Sequence, residues 1–443
     1  MEKQTELQMI MEKFDYPPEY YQLCAQTLAT AFNQVPLYKS WRKFDLGPSV
    51  PLWQRFAALP VLTKALMRES FPTGLMPENQ NLATGLADEE IEYTFTSGTT
   101  AEKVINIWDQ NWWDNAEKAA WQLNYHLAQL SYPQKQAKLA SSLNVGINCE
   151  EDLPMSHRLI GNTLYLNEKI SLIQWQDRHL SRMVKELNEY QPVIFEVNPS
   201  LLARLAWWAL DHKLTIYSPQ VIVFTFEFPS AIHLKVIKDV FSSALVSSYG
   251  TTESGFVLQQ CEDGFLHQNT DFVHIDFLPL KQQDEVGNLG RIYVTTFNNP
   301  WNYVIRFDAG DLVRLADDGN CSCGGNRGIL VKDIEGRVAN VTFTTKGKLV
   351  STKMLDDQLA KVEQLRDYHL EQLNKTTYLL EVMLAPETAE KEAFEQIKAT
   401  LREVYGSDGT YEIQLKETIL PGPAGKFRRT QANFGFEESE LFL

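Results

Sequence analysis

Between residues 192 and 247 the chain alternates short β-branched runs with segments patterned for helix, and few folds accept that alternation. Residues 192–197 read as a buried strand. Pro199-Ser200 then offers a helix N-cap, and Leu201, Leu205 and Trp208 follow at helical spacing. Residues 221–226 form a second strand pattern, 231–241 a helix, and 244–247 a third strand. Strands joined through helices make right-handed crossovers, so the sheet is predicted to be parallel. Ligands of such sheets bind beyond the carboxyl ends of the strands. Chemistry is therefore expected in the segment after Ser247.

A chain of 443 residues exceeds what one compact core holds, so at least two domains are expected. The last hundred residues change pattern. Residues 353–365 read as helix, 376–384 as strand, 387–405 as a helix closed by Gly406, and 411–420 as strand. This is a small α+β unit, with its boundary near 337–340. No function is read from the tail, 434–443. The expected fold class is α/β: a large N-terminal domain of layered sheets and helices over 1–337, and a small mobile C-terminal α+β domain over 338–443.

Composition removes several functions. Hydrophobic residues make up 44% and charged residues 22%, a globular balance, and the net charge of −16 repels a phosphate backbone, so no nucleic-acid partner is expected. No stretch has 18 uncharged apolar residues, and the best, 201–210, carries Arg204, so no membrane span is expected. The first residues are charged throughout and lack the apolar core of a signal peptide. Together with the odd count of five cysteines, this leads us to expect reduced thiols and a cytoplasmic location.

Five short segments carry residue types suited to nucleotide chemistry. Thr94-Phe95-Thr96-Ser97-Gly98-Thr99-Thr100, followed by Lys103, sets small hydroxyls around a glycine, so hydroxyls, amides and one cation can meet phosphate oxygens. A solvated Ser/Thr-rich turn has the same composition. Ser247-Ser248-Tyr249-Gly250-Thr251-Thr252-Glu253-Ser254-Gly255 offers a flat ring for a purine and a hard carboxylate for Mg²⁺; a strand-to-loop turn with an aromatic plug looks similar. Arg306-Phe307-Asp308-Ala309-Gly310-Asp311 presents a carboxylate able to accept both ribose hydroxyls, or is a charged hairpin. Gly336-Arg337 sits at the domain boundary. Leu420-Pro421-Gly422-Pro423-Ala424-Gly425-Lys426 presents one lysine on a Gly/Pro loop, where most lysines are simply solvated.

Two Cys/His pairs flank these segments: Cys261 with His267, and Cys321 with Cys323. Brought together they would give Cys₃His, a closed structural zinc set; separately they are buried thiols and a core histidine.

The order of the five segments resembles that of the adenylate-forming superfamily: acyl-CoA synthetases, adenylation domains of nonribosomal peptide synthesis, and luciferases. Val35-Pro36-Leu37-Tyr38, Leu59-Pro60-Val61-Leu62-Thr63-Lys64 and the Cys-x-Cys-Gly after the ribose segment resemble the phenylacetate-CoA ligase group. The resemblance implies an AMP-forming acid–thiol ligase that activates a carboxylic acid, with an aryl acid the expectation, using ATP and Mg²⁺. It assigns the ATP phosphates to Ser97, Gly98, Thr99, Thr100 and Lys103. Ser248, Tyr249, Gly250, Thr251 and Thr252 fall to the nucleotide, Glu253 to Mg²⁺, and Asp311 and Arg337 to the ribose. Lys426 bridges carboxylate and α-phosphate. It also supports the zinc reading of Cys261, His267, Cys321 and Cys323. The implied acceptor is CoA, or the phosphopantetheine of a carrier protein, and a homodimer is a further expectation.

Three departures bear on function. The phosphate loop reads Thr100-Ala101-Glu102-Lys103 where relatives have Gly-x-Pro-Lys. The family's Gly-Ala-Glu-Pro segment is Thr225-Phe226-Glu227-Phe228, with two bulky rings. Ala339 stands where relatives carry an acidic or lysine hinge residue, and the glycine-rich loop that serves their second half-reaction is not recognisable in 341–348. Adenylation is thus better supported than thiol transfer. An amide-forming ligase with an amine acceptor, and a catalytically silent nucleotide-binding partner, stand as the alternatives.

Overall fold

The computed structural model describes residues 11–95, 104–131, 133–140, 153–167, 175–284, 286–325, 327–422 and 426–443. The chain divides into two compact units, Met1–Gln129 with Ser248–Asp333 and Ser439–Leu443, and Leu130–Ser247 with Ile334–Glu438.

In the first unit the strands neighbour one another in the order Val273–Pro279, Leu289–Thr296, Phe307–Leu315, the start of Leu330–Arg337, Leu266–Gln268, Gly255–Gln260 and the end of Ala244–Thr251. Each neighbouring pair among the first three is antiparallel, as is each among the last three. The helix Pro18–Gln34 supplies Tyr20, Cys24, Leu28 and Ala31 to a core completed by Phe56, Leu62, Phe297 and Phe307. Its i, i+4 and i+3 apolar spacing puts these side chains on one face. The helix Gln110–Trp121 starts where the Asp109 carboxylate accepts the Trp112 amide at 3.0 Å.

In the second unit Ala244–Thr251, Val221–Phe224, Ile194–Val197, Gln136–Leu139 and Thr163–Tyr165 run parallel, in that order. The parallel sheet expected from the alternation is present, and two details differ. Asn198, not Ser200, caps the helix Pro199–Asp211, because its carboxamide oxygen accepts the amides of Ser200 and Leu201 while Pro199 needs no acceptor. The third strand runs on to Thr251, so the Ser247–Gly255 segment is strand and tight hairpin rather than a loop after a strand.

The C-terminal segment forms a four-stranded sheet in the order Thr410–Leu415, Thr377–Leu384, Leu365–Asn374 and Thr430–Ala432, with the helices Thr352–Leu359 and Glu390–Tyr405. The helix expected over 353–365 ends at Leu359, and Leu365 opens a strand. Alternation of buried residues along Leu365–Asn374 outweighs the helical pattern before it. Leu355, Leu359, Tyr368 and Leu380 lie in one continuous core with Ile232, Val236 and Leu205. Each such aliphatic side chain contributes about 1.5–3 kcal/mol when fully buried.

Among the described residues no helix is long and apolar enough to cross a membrane.

Candidate functional site

The Tyr-Gly-Thr-Thr-Glu segment is held in shape by steric necessity. Gly250 pairs opposite Phe256, and a Cβ on it would lie 2.2 Å from the carbonyl oxygen of Gly255. Gly255 has φ +69° and a Cβ there would meet the Trp112 ring at 2.9 Å. Between them Thr251 closes the turn. Its hydroxyl accepts the Ser254 amide at 3.1 Å and lies 2.8 Å from the Ser254 hydroxyl. Trp112 covers the hairpin with its indole N–H donated to the Phe297 carbonyl at 2.8 Å. It is a packed core residue.

The hairpin brings the sequence-predicted residues of the first unit together. Tyr249 donates its hydroxyl to Asp311 Oδ2 at 2.7 Å, joining two of the segments singled out in the sequence. Asp311 lies on Phe307–Leu315, one residue after Gly310, whose φ of +75° suits glycine. Glu253 is 5% exposed, and its Oε1 has no hydrogen-bond partner among the described residues, with Lys64 Nζ 3.4 Å away. A buried carboxylate oxygen without a donor is costly unless a cation compensates it. The Ser248 hydroxyl is likewise buried without a partner. Both fit a site completed by a polar, metal-bearing ligand, with Glu253 the residue able to hold Mg²⁺.

Lys64 is the residue that motif spacing missed. It is delivered by a docking of chain onto strand: Leu62 donates its amide to Arg306 O and accepts the Asp308 amide, each at 3.0 Å. Arg306, at φ +56°, ties this segment down by a guanidinium donation to Leu59 O, and its Nε lies 3.6 Å from Asp276. The signal was the Leu-Thr-Lys run already noted, but nothing in one dimension aims it at Glu253.

Cys261, His267, Cys321 and Cys323 converge, their ligand atoms all within 4.8 Å of one another. Cys261 and Cys321 sulfurs are 3.7 Å apart, and Cys323 Sγ is 3.3 Å from His267 Nε2. Tetrahedral zinc with bonds of about 2.3 Å to sulfur and about 2.0 Å to nitrogen places ligands about 3.5–3.8 Å apart, so the four fit such an ion. Burial, aided by the neighbouring Cys321 and Cys323, pushes the Cys261 thiol up to about 12. Burial also raises Cys323 and holds His267 below its usual range. The set is three sulfurs and one imidazole with no position for substrate, which is a structural donor set.

Two further residues lie in the second unit. Arg337 ends the strand Leu330–Arg337 and is exposed. It follows Gly336, at φ +105° with a Cβ position 3.0 Å from Thr352. Lys426 is partly buried, and its carbonyl accepts the Gly422 amide at 2.9 Å. Ser97, Gly98, Thr99, Thr100 and Lys103 lie outside the described residues, as do 423–425.

No family model matches the chain. Protein CapK of Staphylococcus aureus is 20% identical over 271 residues, 58% of this chain and 57% of that protein. The chain thus matches little more than half the length of that curated relative. Among solved structures, 2-hydroxyisobutyryl-CoA ligase in its postadenylation state, in complex with 2-HIB-AMP, superimposes with a TM-score of 0.71 at 16% identity, covering 97% of this chain and 92% of that one. Anthranilate CoA ligase AuaEII in complex with anthranoyl-AMP gives 0.52 at 15% identity, over 77% of this chain and 66% of that one. The chain shares the fold of these two ligases.

Proposed function

We propose that this chain activates a small carboxylic acid with ATP, forming an acyl-adenylate and pyrophosphate, and passes the acyl group to a nucleophile. The observation that carries the reading is the Tyr249–Asp311 hydrogen bond beside the buried, under-satisfied Glu253. It joins a flat ring suited to a purine, a carboxylate suited to a ribose and a carboxylate suited to a phosphate-bound cation, within one unit. The fold is shared with ligases whose solved complexes contain acyl-adenylates.

In this reading the acid's carboxylate attacks the α-phosphorus of ATP. A new C–O–P linkage forms, the bond to the β-phosphate oxygen breaks, and pyrophosphate leaves with the electron pair. Anion attacking anion needs charge neutralisation and in-line placement. Lys426 supplies a cation between the carboxylate and the α-phosphate, and Ser97, Gly98, Thr99, Thr100 and Lys103 bind the leaving phosphates. Tyr249 and Gly250 border the adenine, with Ser248, Thr251 and Thr252 shaping the same wall; Asp311 and Arg337 hold the ribose. Glu253 would hold Mg²⁺, which when bound neutralises phosphate charge. Cys261, His267, Cys321 and Cys323 would hold zinc as a staple within the first unit.

CoA is the default acceptor, with a carrier-protein pantetheine next. A second reading, an amine acceptor, is favoured by Ala339, exposed at the hinge, and by the continuous core shared between the C-terminal sheet and residues 136–241. Rotation of a lid past such a core would expose it to water.

The test is pyrophosphate release with Mg·ATP over a panel of aryl, short-chain and long-chain acids, with hydroxylamine as universal acceptor and Lys426→Ala as control. Acid-dependent release that falls about 10²–10³-fold in the variant is expected, as for loss of one transition-state charge partner. Tight nucleotide binding with no release for any acid would overturn the reading in favour of a silent nucleotide binder. CoA, pantetheinylated carrier and free amines, offered in turn, then identify the acceptor.

A further inference from the structure

The short segment between the second parallel strand and the helix Ala231–Val240 contains a strained turn that the proposed chemistry leaves unexplained. Glu227 donates its amide to the Thr225 carbonyl at 2.9 Å, closing a three-residue turn with Phe226 at φ +72°. A bulky aromatic in the left-handed region is an outlier, and such strain persists only where surrounding structure holds it. The turn aims the Glu227 side chain into the second unit. There its Oε2 accepts the amide of Phe427 at 3.1 Å, the residue next to Lys426. Oε1 is buried and has no hydrogen-bond partner among the described residues. Burial raises the carboxyl above its usual range, against the pull of Ser200, Arg429, the Phe427 amide and Lys426.

Two more posts hold the same loop. Arg204 donates to the Thr418 hydroxyl and the Ile419 carbonyl, with its guanidinium 5.8 Å from the centre of the Phe427 ring. Arg429 donates to Asp367 at 2.6 Å and to the Ser200 hydroxyl at 3.0 Å. Arg204 grips the start of the loop and Arg429 its end. Glu227 takes the amide of Phe427, directly after the lysine. A merely structural role would not require a buried carboxylate with one oxygen unsatisfied, because an apolar contact would pack there at less cost.

We propose that Glu227 is the positioning residue of the Gly-Lys loop: its carboxylate seats the Phe427 amide and so fixes where Lys426 stands. This rests on the adenylation reading for its catalytic consequence, but not for the seat itself. The test uses the full chain with Glu227→Ala and Glu227→Gln. Hydrogen exchange of the peptide spanning residues 420–430 reads the seat without any activity. Glu227→Ala is expected to speed exchange at Phe427 about tenfold or more, as for loss of a hydrogen bond to a charged acceptor. Glu227→Gln keeps a neutral acceptor of the same shape, so it is expected to speed exchange at Phe427 by about threefold, a smaller but readable loss that decides the matter should the alanine variant not fold. In acid-dependent pyrophosphate release, Glu227→Ala lowers kcat at least tenfold with little change in KM for ATP, and adds less than twofold in a Lys426→Ala background. Unchanged exchange at Phe427 in both variants, or a full independent loss on top of Lys426→Ala, overturns the proposal. Absence of release in the parent chain sinks the adenylation reading instead, and leaves the exchange result to judge the seat.

Discussion

Tyr249 donates its hydroxyl to Asp311 Oδ2 at 2.7 Å across 62 positions of sequence. The hydrogen bond orients the carboxylate through one of its two acceptor oxygens. Tyr249→Phe keeps the ring and removes this restraint. KM for ATP is expected to rise about three- to tenfold with kcat little changed, in the range of one hydrogen bond. Asp311→Asn should raise it further, because the acceptor itself is weakened. Steady-state pyrophosphate release at varied ATP measures both, and an unchanged KM in Tyr249→Phe would show that the contact does not serve nucleotide binding.

Gly250 and Gly255 make the hairpin possible, one by close approach and one by its backbone angle. A Cβ at Gly250 meets backbone 2.2 Å away, which no rotamer change relieves. Gly250→Ala is therefore expected to destabilise the first unit by about 1–3 kcal/mol and to abolish nucleotide binding. Gly264→Ala is the control: its φ is +92° but open space surrounds the Cβ, so only backbone strain of about 1 kcal/mol is added and binding is kept. Urea midpoints and calorimetric titration with ATP separate the two effects.

Much of this arrangement was legible in one dimension. The parallel strands Ile194–Val197, Val221–Phe224 and Ala244–Thr251 follow from β-branched runs whose burial dictates their pattern. The Tyr249, Asp311 and Cys/His segments stood out by residue type and by their order along the chain, and the structure brings Tyr249 to Asp311 and the four Cys/His ligand atoms together. What was not legible depends on long-range docking. Lys64 reaches Glu253 because Leu62 pairs with Phe307 as an isolated bridge. Glu227 reaches Phe427 across 200 positions. Leu365–Asn374 was hidden because the helical pattern of Thr352–Leu359 runs into it, and only its pairing with Thr377–Leu384 decides for strand. Residues 96–103, expected to meet phosphates, lie outside the described residues.

Zinc at Cys261, His267, Cys321 and Cys323 should be measurable as about one equivalent per chain in metal analysis of protein purified without chelator. Cys323→Ser is expected to lose most of it. Removal by a strong chelator should lower the melting temperature and leave the second unit's stability unaltered, as for a structural site whose binding energy is folding energy. Full metal content with serine at position 323 would exclude that sulfur as a ligand.

The last prediction concerns acid. His233 is fully buried at the centre of the second unit's polar network, with its Nε2 3.4 Å from Asp367 and the Arg429 guanidinium 3.2 Å from Nδ1. Trp207 packs edge-on at 5.2 Å, and Asp356 lies near enough to act on its charge. Burial first, then Arg429, holds the imidazole below its usual value against the opposing pull of Asp367 and Asp356. The folded chain therefore keeps the ring neutral where the unfolded chain, with an ordinary pKa of about 6.5, takes up a proton. Stability from this group is full above that value and is lost as pH falls below it toward the folded value. Asp367 adds a second loss at lower pH: burial alone would raise it, but Arg429 and His233 hold it well below the carboxylate range. Its contribution persists until pH falls below about 3.9. Glu227, raised by burial, opposes both, since its ionisation costs the folded state as pH rises. Between pH 7.5 and 5.5 the histidine of the unfolded chain takes up its proton while the buried ring resists it, so the urea midpoint of the parent chain should fall over that interval. In His233→Gln the midpoint should start lower and fall distinctly less. An equal fall in both proteins would locate the acid sensitivity outside this network.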